Sequence, residues 1–177
     1  MRESKFLKDT CENLEKLMAI PSLKVFETED LSRLVKMSKI RHYSDGEIII
    51  EEGTLDPLLY MLLSGKVKIT KSDKQLVSLK RRGDFFGEMG VIAGIDRSAS
   101  AYALGDTICL ATDASQINRI AGKDRLTFAF LLHRVLAEAL VDHLRMTNNE
   151  LVKAKQEITR LKSIAVRNES ESTEQPK

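Results

Sequence analysis

Arg97 and Ser98 stand a short run beyond Gly87 and Glu88 in the stretch FFGEMGVIAGIDRSASAYA, Phe85 to Ala103. Together these residue types suit the capture of a small phosphate ester. A guanidinium offers phosphate oxygens a planar fork of donors, and the Ser98 hydroxyl adds another. Gly87 has no side chain and lets the backbone approach closely. The first turn of a short helix exposes N–H groups that no strand partner claims. Glu88 has the wrong sign to face phosphate, so its natural partner is a sugar hydroxyl, which donates to a carboxylate. On residue types and spacing alone a second account stays open, a surface loop in which Arg97 pairs with neighbouring Asp96.

Catalytic chemistry finds little footing elsewhere. His42, His133 and His143 are scattered, and none has a carboxylate at metal-ligand spacing. Cys11 and Cys109 lack metal spacing too and fit a reduced, cytoplasmic chain better than a disulfide framework. Ser98 and Ser100 lie near Arg97 without a base to activate them. No metal is expected. A hydrolase of small phosphate esters is the weakest reading, because a phosphodiesterase would need a metal cluster that is not visible.

The elements that must position these residues follow from length and rhythm. With 177 residues, 42% hydrophobic and only 5% aromatic, the chain holds one domain of ordinary size plus extra helix. Lys and Arg total 28 against 26 Asp and Glu, a formal +2 that points to no particular partner. The start, MRESKFLKDT, has no apolar signal region, and nowhere do enough apolar residues run together to span a membrane. Residues 1–40 read as helical. Leu7, Cys11, Leu14 and Met18 share one face of a helix within residues 1–22 that Ile20-Pro21 ends, and a second helix starts near Glu29 with Leu31, Leu34 and Val35 inward. Residues 41–112 read as short strands cut by turns, among them Asp56-Pro57, Ser64-Gly65 and Gly105-Asp106. Strands this dense, with no helix between them, predict an antiparallel barrel or sandwich. Asp113 and Gln116 fit a capping box opening a short helix that Gly122 closes. The expected division is an N-terminal helix at 1–22, a barrel with flanking helices at 23–122, a long helix at 123–165 and a disordered polar tail at 166–177.

Along that long helix, Leu140, Leu144, Thr147, Leu151, Ala154, Ile158, Leu161 and Ala165 alternate spacings of four and three. Leu144, Leu151, Ile158 and Ala165 take heptad position a, and Leu140, Thr147, Ala154 and Leu161 take position d. Glu150 and Glu157 at g oppose Lys155 and Lys162 at e in a parallel pair, so a parallel homodimer through residues 126–165 is expected. Such exposed pairs are worth only ~0.2–1 kcal/mol each and choose orientation more than they stabilise. A polar Thr147 in the seam either fixes register or has a ligand to meet.

The segment Phe86-Gly87-Glu88, a short apolar run, then Arg97-Ser98-Ala99 resembles the phosphate-binding cassette of the cyclic nucleotide-binding domain family. Gly46-Glu47, Glu52-Gly53, Tyr60 and Ser64-Gly65-Lys66-Val67 extend the likeness over about residues 23–150. The resemblance implies an eight-stranded antiparallel jelly-roll barrel with flanking helices, holding cyclic AMP or cyclic GMP. It implies that Glu88 holds the ribose 2′-hydroxyl, that Arg97 meets the cyclic phosphate, and that Gly87, Met89, Ser98 and Ala99 complete the site. Two departures stand out: Asp96 where many members have Pro, and Gly90 where alanine is common. The run HLRMTNNE resembles the dimer helix of the catabolite activator group, which implies that Thr147 contacts the base in its own barrel and Asn148 the base in the partner. Oxygens there accept from the adenine amino group, which favours cyclic AMP. No room is expected for the DNA-binding module of that group. The resulting expectation is a non-enzymatic nucleotide sensor, signalling through its dimeric helix to a downstream protein that no motif identifies. The competing expectation is a degenerate barrel serving as an oligomerisation scaffold.

Overall fold

The computed structural model describes residues 2–4, 17–120 and 124–173. In chain order these form β1 (Arg2–Ser4), a 3-10 turn (Pro21–Leu23), α1 (Thr28–Lys36), β2 (Ser38–Tyr43), β3 (Ile48–Ile50), β4 (Leu58–Lys71), β5 (Lys74–Leu79), β6 (Phe85–Phe86), α2 (Glu88–Ala93), β7 (Ser100–Asp113), a second 3-10 turn (Ala114–Arg119) and α3 (Asp124–Thr173). All strand pairs are antiparallel, in the order β1-β2-β7-β4-β5, with β3 on β7 and β6 on β4. The mainly-β class with flanking helices is therefore as expected. The strand path is open between β1 and β5, with seven strands among the described residues where the family likeness implied a closed barrel of eight.

Two expected turns are bends inside long strands. Ser64-Gly65 and Gly105-Asp106 lie within β4 and β7, which pair along their whole length from Leu58↔Asp113 to Thr70↔Ser100. The register shifts between Leu62 and Ser64 and again between Ser64 and Lys66, which marks a bulge. Gly65 has φ +90°, and a Cβ there would sit 2.5 Å from the Asp106 carbonyl oxygen and 2.7 Å from Thr107 Oγ1. The two strands bend at facing points and stay paired, so neither ends.

Alternation gives the sheet two different faces. Leu59, Met61, Phe85 and Leu110 join one core with Leu31, Leu34 and Val35 of α1 and Phe128, Leu132, Val135 and Leu136 of α3. Tyr60, Leu62 and Phe86 point the other way, with Tyr60 stacked on Phe86 at 5.3 Å. This explains why residues 59–62 are buried without a polar break. Cys109 is free and buried, and burial pushes its thiol up to about 12, which leaves it protonated and unreactive at neutral pH.

The helices differ from expectation at their ends. Arg2–Ser4, expected as the start of a helix, is a strand paired with β2. Leu7, Cys11 and Leu14 lie outside the described residues. Met18, expected inward, is exposed, and Leu17 beside it is buried. The Asp113 carboxylate accepts from Ser115 N–H at 3.0 Å, but the reciprocal half of the box is absent: Gln116 donates to that same carboxylate, and Asp113 N–H donates to Met37 O. Gly122 lies outside the described residues. The chain divides into two units, Met1–Leu140 and Val141–Lys177. The helix continues through Thr173, past the boundary expected at residue 165, because no Gly or Pro interrupts the polar run RNESEST.

Gly65→Ala should destabilise the protein by roughly 1–3 kcal/mol, because it adds a backbone clash to a positive φ. Gly105→Ala, whose Cβ meets nothing within 4 Å, should cost about 1 kcal/mol. Urea unfolding of the two variants checks the difference, and equal losses would remove the bend as a packing constraint.

Candidate functional site

The cassette is built by a strand, a left-handed turn and one short helix. β6 delivers the chain to Gly87, which takes φ +80° and caps α2. Gly94 closes α2 in a left-handed conformation at φ +63°, which turns the chain back toward the sheet. Backbone bonds then clamp the arginine: Arg97 N–H donates to Thr54 O and Gly53 N–H donates to Arg97 O, both at 2.8 Å. Position 97 is thus tied to the loop after β3 before its side chain makes any contact.

The Arg97 side chain is buried, with 2% of its surface exposed. Its Nη2 donates to Asp56 Oδ1 at 2.8 Å and to the Leu58 carbonyl, its Nε lies 3.4 Å from Asp56 Oδ2, and its Nη1 donates to the Gly87 carbonyl. The surface pairing with Asp96 does not occur, and Asp96 is exposed. A buried cation requires a counter-charge, and Asp56 supplies it from 41 residues upstream. Local sequence gives Asp56 no site signature, since Asp-Pro reads as a turn. Its carboxylate does perform that turn, accepting from Leu58 N–H at 2.6 Å.

Two glycines stand close against the arginine. A Cβ on Gly87 would lie 2.9 Å from Arg97 Nη1 and 2.9 Å from Ile50 Cδ1. On Gly90 it would lie 3.2 Å from the Ile95 carbonyl and 3.3 Å from Arg97 Cδ. The departure from alanine at position 90 therefore makes room for the guanidinium and its stem. Glu88 is buried on the first turn of α2. Met89 is half-exposed, and its sulfur takes a weak contact from Ser98 Oγ at 3.8 Å. Ser98 and Ala99 are partly buried in the bend just before β7.

The first unit thus brings Gly87, Glu88, Met89, Arg97, Ser98 and Ala99 together. Thr147 and Asn148 belong to the second unit, where both are exposed on α3. A separate groove of about 700 Å³ is lined by Leu55, Pro57, Val91, Ile92, Ile117 and Leu132, among others. Glu88 and Arg97 do not line it. Among the described residues no group of His, Cys, Asp and Glu is arranged to hold a metal ion. His133 Nδ1 donates to the Ala129 carbonyl of its own helix at 2.6 Å. Burial above all, then the neighbouring Tyr60, holds the Tyr43 phenol above its ordinary range, so it stays neutral. A buried cation, a buried carboxylate and a tight glycine turn together have the chemistry to hold a small anionic ligand.

Comparison with known proteins agrees. Residues 40–124 match the family model of the cyclic nucleotide-binding domain. Human cGMP-dependent protein kinase 2 is 30% identical over 112 residues, covering 60% of this chain and 15% of the kinase. The cAMP-dependent protein kinase regulatory subunit of Hypocrea atroviridis is 30% identical over 109 residues, covering 62% of this chain and 23% of that subunit. The chain therefore spans under a quarter of the length of these relatives. A cyclic nucleotide-binding domain from Methylobacillus flagellatus superposes with a TM-score of 0.74 at 18% identity, over 86% of this chain and 88% of that one. The catabolite activator protein of Thermus thermophilus gives 0.60 at 28% identity, over 76% and 63%. The family match takes in just under half of this chain, and the segment it covers, which contains the whole cassette, is similar to a cyclic nucleotide-binding domain.

Gly87→Ala should lower stability by about 1–3 kcal/mol, through its strained φ and its clash with Arg97. Nuclear magnetic resonance of the Arg97 side chain should show a shifted Nε signal in this variant. An unshifted signal would mean that Gly87 does not shape the arginine pocket.

Proposed function

We propose that the chain is a cyclic AMP-responsive regulatory module that acts as a parallel homodimer through α3 and passes its ligand state to a partner protein. The observation that carries this reading is the buried Arg97 cation against the left-handed Gly87 turn, with the Glu88 carboxylate buried one residue on. Arg97 meets the cyclic phosphate, Gly87, Met89, Ser98 and Ala99 frame it, and Glu88 accepts from the ribose 2′-hydroxyl. Thr147 reads the adenine in its own subunit and Asn148 the adenine in the partner. Cyclic nucleotide recognition is supported by the family match and by a neighbouring fold described as cAMP-bound. No metal takes part. A cytoplasmic setting agrees with the free thiol of Cys109.

Dimerisation is supported by what α3 leaves uncovered. Leu144, Leu151, Ile158 and Leu161 are each half-exposed or more. Counting back by heptads from Leu144 and Leu140 reaches Phe130 and Leu126, which are 67% and 68% exposed while Phe128 and Leu132 of the same helix are buried. Leu126 and Phe130 thus leave apolar surface on the side of α3 away from the sheet, with Ala137 and His133 at the heptad positions in between. An apolar surface of this length needs a partner. Ligand contacts from Thr147 and Asn148 then favour one arrangement of the paired helices, and only such differential contacts move an equilibrium.

Calorimetry should show micromolar cyclic AMP binding that Arg97→Ala abolishes. Loss of a desolvated charge contact costs ~2–5 kcal/mol, roughly thirty- to several-thousand-fold in affinity. Unchanged affinity in that variant overturns the phosphate assignment. A clear preference for cyclic GMP overturns base reading by Thr147. Sedimentation should give a dimer at micromolar concentration, and a monomer there refutes the α3 seam.

A further inference from the structure

A second arginine, Arg41 of β2, reaches across the sheet toward the strand that carries the cassette. Residues directly opposite in antiparallel strands share a face, so the registers Arg41↔Cys109 and Leu62↔Cys109 put these three side chains in one row. Tyr60 and Ala111 form the neighbouring row on that face. Cys109 and Ala111 are small, which leaves a lane over the middle strand, β7. The partly buried Arg41 crosses it, and its Nη1 donates to Tyr60 Oη on β4 at 3.0 Å. β2 shares no ladder with β4 or β6, so this bridge links strands that backbone pairing leaves apart.

Tyr60 is in turn joined to Phe86 twice. Their backbones pair where β6 meets β4, and their rings stack at 5.3 Å with 16° between the planes. Phe86 is the last residue before the Gly87 turn, whose carbonyl accepts from Arg97 Nη1. A stacked ring slides and tilts until a second point on it is held, and the bond at the phenol oxygen is that second point. A charged donor makes this bond stronger than a neutral one would. Satisfying a buried phenol does not itself require a cation, whose partial burial costs solvation.

We propose that Arg41 is a positioning residue of the nucleotide site: through Tyr60 and Phe86 it sets the Gly87 turn that frames the ligand's phosphate. This rests on the nucleotide reading above. The bond is made before ligand arrives, so its effect on binding is preorganisation: a turn already in place does not have to be ordered on association.

Tyr60→Phe keeps the stacked ring and removes the phenol oxygen, while Arg41→Met keeps an unbranched stem and removes the guanidinium. Calorimetry with cyclic AMP on the full chain should show each variant binding about fivefold more weakly than the parent, and the double variant no more weakly than either single, because both remove one link. The Gly87 amide signal of empty Arg41→Met should also be displaced in nuclear magnetic resonance spectra. Parental affinity in both single variants, or losses that multiply in the double variant, overturns the link and leaves Arg41 only as the partner of a buried phenol. An unmoved Gly87 signal does the same. No binding by the parent overturns the nucleotide reading, while the Gly87 signal still reports separately on whether Arg41 sets the turn. Should Arg41→Met fail to fold, Tyr60→Phe decides alone: weaker binding supports the link, and unchanged affinity refutes it.

Discussion

A positive charge held away from water must be balanced, and much of the cassette follows from that constraint at Arg97. With 2% of its side chain exposed, the guanidinium cannot borrow solvent as a counter-ion. Asp56 is brought to it across the loop after β3, Leu58 and Gly87 contribute carbonyls, and two glycines leave the space that its stem and Nη1 occupy. Each of these features looks local when taken singly. Together they describe one cation whose orientation is fixed by the packed fold itself.

That preorganisation depends on the sheet. Bends at Gly65 and Gly105 let β4 and β7 curve together without ending, so one pair of strands supplies both a helix-facing core and an inner face carrying Tyr60 and Phe86. β6 pairs with β4 at Tyr60↔Phe86, which sets where Gly87 begins. The arginine returns to the same region because Gly94 reverses the chain and backbone bonds fasten residue 97 to the loop at Gly53 and Thr54. Rigid strands therefore hold both ends of the cassette, while the segment between them is short and carries the chemistry.

The helix that follows has a divided character. Phe128, Leu132, Val135 and Leu136 seal the core of the first unit, whereas Leu126 and Phe130 on the opposite side are left open. One helix thus presents a buried face to its own sheet and an uncovered apolar face on the other side. Exposed ion pairs such as Glu157 with Arg160 at 2.7 Å keep the remaining surface solvated and add little stability.

Much of this was legible in the order of residues. Strand density between 41 and 112 marked an antiparallel sheet, Leu31, Leu34 and Val35 marked the inward face of α1, and the Gly87, Glu88 and Arg97 pattern marked the cassette, because these signals are local and periodic. Other features depended on contacts between distant segments. Ser64-Gly65 reads as a turn in isolation and becomes a bend only because β7 stays bonded opposite it. Arg2–Ser4 becomes a strand because β2 offers it an edge. Asp56 carries no signal beyond Asp-Pro, and its role appears only once folding sets its carboxylate 2.8 Å from a buried guanidinium. By itself the sequence determined which residues can bind an anion and which faces avoid water, since those are properties of side chains and their spacing. Only the tertiary structure decided which charge answers Arg97, because the low-dielectric surroundings that make the pairing necessary do not exist until the chain has packed.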